Sequence, residues 1–279
     1  MKKKVLLAFS GGLDTTYCAI YLAREKGLEV HTAIVNTGGF STKELEKIEK
    51  HAYALGVKKH YTLDETDIYY KECIRFLIYG NVLRGGIYPL SVSAERVFQS
   101  KAIALQAKKL KVDYIAHGST GAGNDQVRFD VIFNILIPEI KVLTPIRDMK
   151  LSREDEINFL KKNGVKMNFE KALYSINKGL WGTSVGGKET LTSGQPLPEE
   201  AFPTQLSKTM EEEIELGFEK GELVAVNGKK YPHPVSAIQK TCKAGGRPIL
   251  RTDRQAYSQL STRESSERTN LGERVGQVV

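Results

Sequence analysis

Short apolar runs alternate with amphipathic segments through the first 150 residues of the chain. Runs of strand character occupy 4–9, 29–35, 58–63, 112–117 and 140–144. Apolar positions recur at helical spacing over about 14–26, 42–55, 65–79, 94–109 and 152–163. In the first of these segments Cys18, Ala19, Leu22 and Ala23 share one side. In the fourth, Ala94, Val97, Phe98, Ala102 and Leu105 form a stripe expected to pack on the core. Strands that alternate with helices predict an α/β fold, a parallel sheet covered by helices. Right-handed crossovers then bring ligands to the carboxyl ends of the strands.

The pattern changes after about residue 166. Gly and Ser punctuate 175–195, prolines cluster at 196–203, and strand patterns follow at 212–219 and 222–227. Lys220-Gly221 reads as the turn between these strands, and Val226-Asn227-Gly228-Lys229 carries a second turn signal. Three segments are therefore expected: a sheet domain over 1–165, a second α+β domain over 166–239, and an atypical tail over 240–279. Arg, Ser, Thr and Gln dominate the tail. Such a composition buries too little to offset the entropy of ordering.

The tail also accounts for half of the net charge of +8, since 240–279 holds eight Lys/Arg and four Asp/Glu. The other +4 is spread over 239 residues without a basic stripe, so anionic small substrates explain it better than nucleic acid. No apolar stretch approaches the ~20 residues that cross a bilayer. Lys2, Lys3 and Lys4 mimic the start of a secretory signal, but the apolar run Val5 to Phe9 is shorter than the ~7–15 residues required. A cytoplasmic protein without a membrane partner is expected. Cys18, Cys73 and Cys242 are odd in number and far apart, and read as reduced packing thiols.

The chemistry begins where the first strand ends, in Ala8-Phe9-Ser10-Gly11-Gly12-Leu13-Asp14-Thr15-Thr16. A strand that turns through glycines into a helix N-terminus makes an anion site. Ser10, Thr15 and Thr16 add hydroxyl donors. Asp14 would repel phosphate unless a cation lay between them, which implies Mg²⁺ arriving with the nucleotide. The Walker pattern is absent. The segment is similar to the pyrophosphate loop of ATP pyrophosphatases, enzymes that adenylate a substrate and release pyrophosphate.

A second motif follows the fourth strand: His117-Gly118-Ser119-Thr120-Gly121-Ala122-Gly123-Asn124-Asp125-Gln126-Val127-Arg128. Three glycines in six positions let a loop wrap closely around a ligand. An amide, a carboxylate and a guanidinium within five residues can hold an amino acid by its ammonium and carboxylate. A surface turn with solvated charges is the plainer alternative. With the first motif, this stretch resembles argininosuccinate synthase, over about residues 3–239.

The resemblance implies an adenine nucleotide α-hydrolase-like domain followed by a partial synthetase domain. It implies an ATP-dependent ligase of arginine biosynthesis that condenses citrulline with aspartate through citrullyl-AMP. ATP would lie on Ala8 to Thr16, Val35 and Gly118, and aspartate on Thr120, Asn124 and Asp125. Citrulline would meet Tyr88, Ser93, Asn124, Arg128, Ser175 and Ser184. Asp14, Arg128 and Asp125 would do most of the catalytic work, with ATP and Mg²⁺ as the cofactors. The family is homotetrameric, with a lower-order assembly the alternative for this chain. Two departures stand in the motifs: Thr16 where Ser is frequent, and Ala122 where Lys is common. Past Gln239 the pattern ends as in a reading-frame change or a truncated gene, with a divergent tail as the other reading. Another adenylating pyrophosphatase, for example an RNA-thiolating enzyme, and a catalytically impaired relative remain the alternatives.

Overall fold

A computed structural model of the chain describes residues 2–84, 88–121, 123–169, 174–186, 198–202 and 214–244. Five strands form one sheet: β1 (Lys4–Ala8), β2 (Glu29–Asn36), β3 (Lys59–Asp64), β4 (Tyr114–Ala116) and β5 (Lys141–Leu143). Their order is β3-β2-β1-β4-β5, and every pair is parallel. The helices are α1 (Leu13–Arg24), α2 (Thr42–Ala54), α3 (Ser91–Leu110), α4 (Asp125–Leu136) and α5 (Arg153–Lys162). The α/β expectation holds, and all five strands lie where the apolar runs placed them.

Strand β1 is central and covered on both sides, which is why it reads as an uninterrupted apolar run. Its side chains alternate. Leu6 and Ala8 pack with Ala33, Val35, Ala102, Ile103, Phe129 and Phe133, so α3 and α4 cover that face. Val5, Leu7 and Phe9 pack with Tyr17, Cys18, Leu22 and Ala52, so α1 and α2 cover the other. The register Lys4↔Glu29 to Ala8↔Ala33 and Val5↔Tyr114 to Leu7↔Ala116 brings the ends of β1, β2 and β4 level.

Two expectations need correction. Helix α4 was not among the expected helices; the polar half of the second motif is its first turn. The stripe assigned to α3 is also wrong in part, because Val97 and Leu105 are exposed. The buried side of α3 carries Glu95, Gln99, Ser100, Ile103 and Ala107 instead. Hydrogen bonds hold the polar members there, as described below.

The chain forms two compact units that interleave in sequence. The first gathers residues to Glu65 and from Glu95 to Leu173; the second gathers Thr66–Ala94 with the described residues from Tyr174 onward. This grouping differs from a single cut at 165, since 66–94 goes with the later residues. In the second unit, Ser175–Gly179 pairs antiparallel with Gly182–Gly186. Leu216–Glu219, Glu222–Val226 and Lys229–Lys230 form a three-stranded antiparallel sheet, with its turns at Lys220-Gly221 and Asn227-Gly228. Helix Pro234–Ala244 packs on its middle strand. Helix 65–79 appears as Thr66–Tyr69 and Arg75–Tyr79 joined by a π turn over Tyr70–Ile74. From residue 245 the tail lies outside the described residues.

Candidate active site

Strand β1 has β2 on one side and β4 on the other, so the chain winds outward in both directions from it. The crevice at the carboxyl ends of β1 and β4 is thus the switch point of the sheet, where such folds take ligands. Both motifs open there.

The first loop is shaped by Gly11, whose φ of 77° is left-handed. A Cβ there would lie 3.4 Å from Ile48 Cγ1, an ordinary contact, so conformation rather than space calls for glycine. Gly12 starts α1 with no side-chain cap. Ser10 is exposed; its Oγ accepts from the Gly12 N–H at 3.4 Å and lies 3.3 Å from Thr15 Oγ1. Uncapped first-turn N–H groups, the helix dipole and two hydroxyls make an anion cradle.

Not every residue of the motif faces that cradle. Ala8, Phe9, Leu13 and Val35 put their side chains into the core. Any ligand contact of theirs is through the backbone. Thr16 is fully buried and its hydroxyl is 3.0 Å from His51 Nε2. The hydroxyl offered to phosphate on sequence grounds is engaged with α2 instead.

Asp14 meets a second carboxyl that sequence reasoning missed. Glu156, on α5, is buried and its carboxyl interacts with that of Asp14. Burial first, then the charge and hydrogen bond of Asp14, push Glu156 up to about 8. Burial also raises Asp14, against the opposing charge of Arg153. The sequence signal was a glutamate four residues before buried Leu160, on the inner side of an amphipathic helix.

The second loop touches the first. A Cβ on Gly118 would come 3.2 Å from Asp14 C and 3.3 Å from Asp14 Cβ and O, so glycine lets β4 and α1 meet. Buried His117 fixes the loop: the Ser119 N–H donates to Nδ1 at 3.2 Å, and Nε2 lies 3.1 Å from Asp130 Oδ1. Accepting at Nδ1 leaves the proton on Nε2, directed at Asp130. Arg147 donates to Asp130 at 2.5 Å and to Gln126 Oε1 at 3.0 Å, while Gln126 Nε2 donates to Gly121 O at 2.7 Å. Thr120 and Asn124 are exposed, and Asn124 starts α4 without using its side chain as a cap. Asp125 accepts from Arg128 at 2.7 Å and from Arg96 at 3.0 Å. Ala122 lies outside the described residues.

The four remaining candidates belong to the second unit. Ser175 and Ser184 sit on one antiparallel pair, at the registers Ser175↔Gly186 and Asn177↔Ser184. Ser93 lies in the first turn of α3, and Tyr88 in the two-residue strand before it.

A profile described as the "Arginosuccinate synthase N-terminal HUP domain" matches residues 4–166. The chain belongs to the argininosuccinate synthase family. It is 40% identical to the argininosuccinate synthase of Sulfurisphaera tokodaii over 228 residues, 81% of this chain and 58% of that protein. It is 36% identical to that of Methanocaldococcus jannaschii over 250 residues, 88% of this chain and 62% of the relative. The chain thus spans about three-fifths of the length of these argininosuccinate synthases.

Buried titratable groups around the site set a pH dependence. Burial is the largest cause holding His51, His60 and His117 below the usual imidazole range. Below about 6.5 the unfolded chain gains protons that the folded chain refuses, so stability falls in acid. Glu156 works the other way: the folded chain keeps a proton that the unfolded chain releases. Its contribution is present in acid and is lost as pH rises toward about 8. Between about 6.5 and 8 the carboxyl effect dominates, since free imidazoles are neutral there. The melting temperature of the ligand-free protein should fall by a few degrees over that interval. Glu156→Gln should flatten the fall; a wild-type curve that climbs instead would exclude the proton retained on Glu156.

Proposed function

We propose that this chain is an ATP-dependent ligase that joins citrulline to aspartate, releasing AMP and pyrophosphate. One observation carries the reading: the phosphate-type loop after β1 and the glycine-rich loop after β4 meet at Gly118 and Asp14. A nucleotide on the first loop would have an amino acid beside it on the second. Family membership supports the same reaction.

In this reading Ser10, Thr15 and the first-turn N–H groups of α1 hold the ATP phosphates. The citrulline ureido oxygen attacks the α-phosphorus and pyrophosphate leaves. The amine of aspartate then attacks the adenylated carbon and AMP leaves. Positioning and charge neutralisation suffice for both steps, so no protein nucleophile is needed. Asp125, Asn124 and Thr120 orient aspartate; Asn124, Arg128, Tyr88, Ser93, Ser175 and Ser184 are proposed for citrulline.

Magnesium would neutralise the phosphate charge when bound. Among the described residues no three His, Cys, Asp or Glu side chains gather as a metal cage. Asp14, beside the cradle, is proposed to meet that ion through the nucleotide. A cytoplasmic site of action is proposed; no helix among the described residues is long and apolar enough to cross a membrane. A homotetramer is proposed as in the family.

The test is pyrophosphate release from ATP with citrulline and aspartate supplied together and singly. Release should require citrulline, and argininosuccinate should appear only when aspartate is also present. Release independent of citrulline, or dependent on RNA, would overturn the assignment.

A further inference from the structure

Helix α3 turns polar side chains inward where its sequence pattern calls for apolar ones, and those side chains form one connected chain. Thr37, just past the end of β2, donates from Oγ1 to Glu95 Oε1 at 2.5 Å. Gln99 donates from Nε2 to the same oxygen at 2.9 Å, and its Oε1 accepts from Arg96 at 2.5 Å. Arg96 then donates from Nε to Asp125 Oδ2 at 3.0 Å. Thr37 and Ser100 are fully buried, and Glu95 is only 2% exposed. Burial pushes the Glu95 carboxyl up, opposed by the charge of Arg96.

A buried polar chain is costly unless each member is satisfied, and a satisfied chain fixes its members rigidly. Here one end is anchored at Thr37, directly after β2, and the other end grips Asp125. Arg128 alone, on the same helix turn as Asp125, would leave that carboxylate free to rotate with it. Arg96 comes from a different helix and removes that freedom.

We propose that Arg96, held by Gln99, Glu95 and Thr37, is a positioning residue that sets the orientation of Asp125 and with it the affinity for aspartate. The inference deepens the ligase reading and rests on Asp125 receiving the aspartate amine. It also ties the end of β2, where the nucleotide is proposed to lie against Val35, to the amino-acid loop.

The experiment compares Arg96→Met, Arg96→Lys and Gln99→Met with the unaltered chain. Arg96→Met should raise KM for aspartate about 10-fold or more, the loss of one charge-assisted bond. Citrulline-dependent exchange of pyrophosphate into ATP should change little, because adenylation precedes aspartate. Arg96→Lys should recover part of the loss, as a point charge in place of a planar fork. Gln99→Met, which cuts the chain without touching Asp125, should give a smaller rise of the same kind. Combined with Asp125→Asn, Arg96→Met should add almost nothing further. Parallel loss in exchange and in aspartate KM, or an additive double variant, would overturn the proposal. If Asp125→Asn alone leaves aspartate KM unchanged, the fault lies in the role given to Asp125. A crystal structure of Arg96→Met tests the tether independently of activity: the Asp125 carboxylate should leave its place beside α3, and an unmoved Asp125 would refute the tether.

Discussion

Gly11→Val is expected to reduce ATP binding to background while the fold survives. Gly11 sits at a φ of 77°, a region that costs an L residue about 1–2 kcal/mol, and more when β-branched. The loop would relieve that strain by rotating the adjoining peptides, which turns the inward N–H groups away from the phosphates. Losing two charge-assisted bonds at about 1.5–3 kcal/mol each lowers affinity about 10²- to 10⁴-fold. Gly27 offers the control. Its φ is 64°, with nothing within 4 Å of a Cβ, and it follows the other end of α1. Gly27→Val should cost similar stability and leave ATP affinity intact. Calorimetry with ATP–Mg²⁺ and far-UV circular dichroism decide the matter. Unchanged affinity in Gly11→Val would move the nucleotide away from this loop.

Asp125→Asn should strike the second half of the reaction. The carboxylate lies between Arg96 and Arg128, so replacing it removes the anion that balances two guanidiniums. An ammonium would then meet net positive charge where it had met a carboxylate. A charge-assisted bond of about 1.5–3 kcal/mol corresponds to a rise of about 10- to 150-fold in aspartate KM, or an equal drop in overall rate. Citrulline-dependent pyrophosphate exchange should fall far less. Equal losses in the two assays would mean that Asp125 serves adenylation or folding.

The centre of the sheet was legible because β1 is apolar over a short, uninterrupted run, as a strand covered on both sides must be. Each motif was legible for a related reason, since glycines and hydroxyls directly after such a run have few uses but close backbone approach. Helix α4 was not legible. Its buried Phe129 and Phe133 are matched by exposed Val127, Val131 and Ile135, so apolar residues occur all round and no 3.6-residue period stands out. On α3 the equation of apolar with buried failed outright, because Glu95 and Gln99 are buried by bonding to each other and to Thr37. Thr16 misled for the same reason: its partner, His51, lies 35 residues away, and no local pattern announces the pair. The grouping of 66–94 with the later residues also depends on contacts distant in sequence, which periodicity does not encode.

Helices α2 and α5 begin with serines whose hydroxyls, with Glu44 and Asp155, close reciprocal capping boxes. Helices α1 and α4, which open the two motifs, begin with Gly12 and Asn124 and have no such closure. Substrates bound as proposed would supply the missing oxygens, and cargo would then complete part of the secondary structure. Amide hydrogens at 13–15 and 125–127 should therefore exchange with solvent faster in the empty protein than those starting α2 and α5, and slow once ligand arrives. Heat resistance should rise with ligand concentration, as RT ln(1 + [L]/Kd) requires. In a cell short of substrate, the same arrangement would leave the starts of α1 and α4 open sooner than those of α2 and α5.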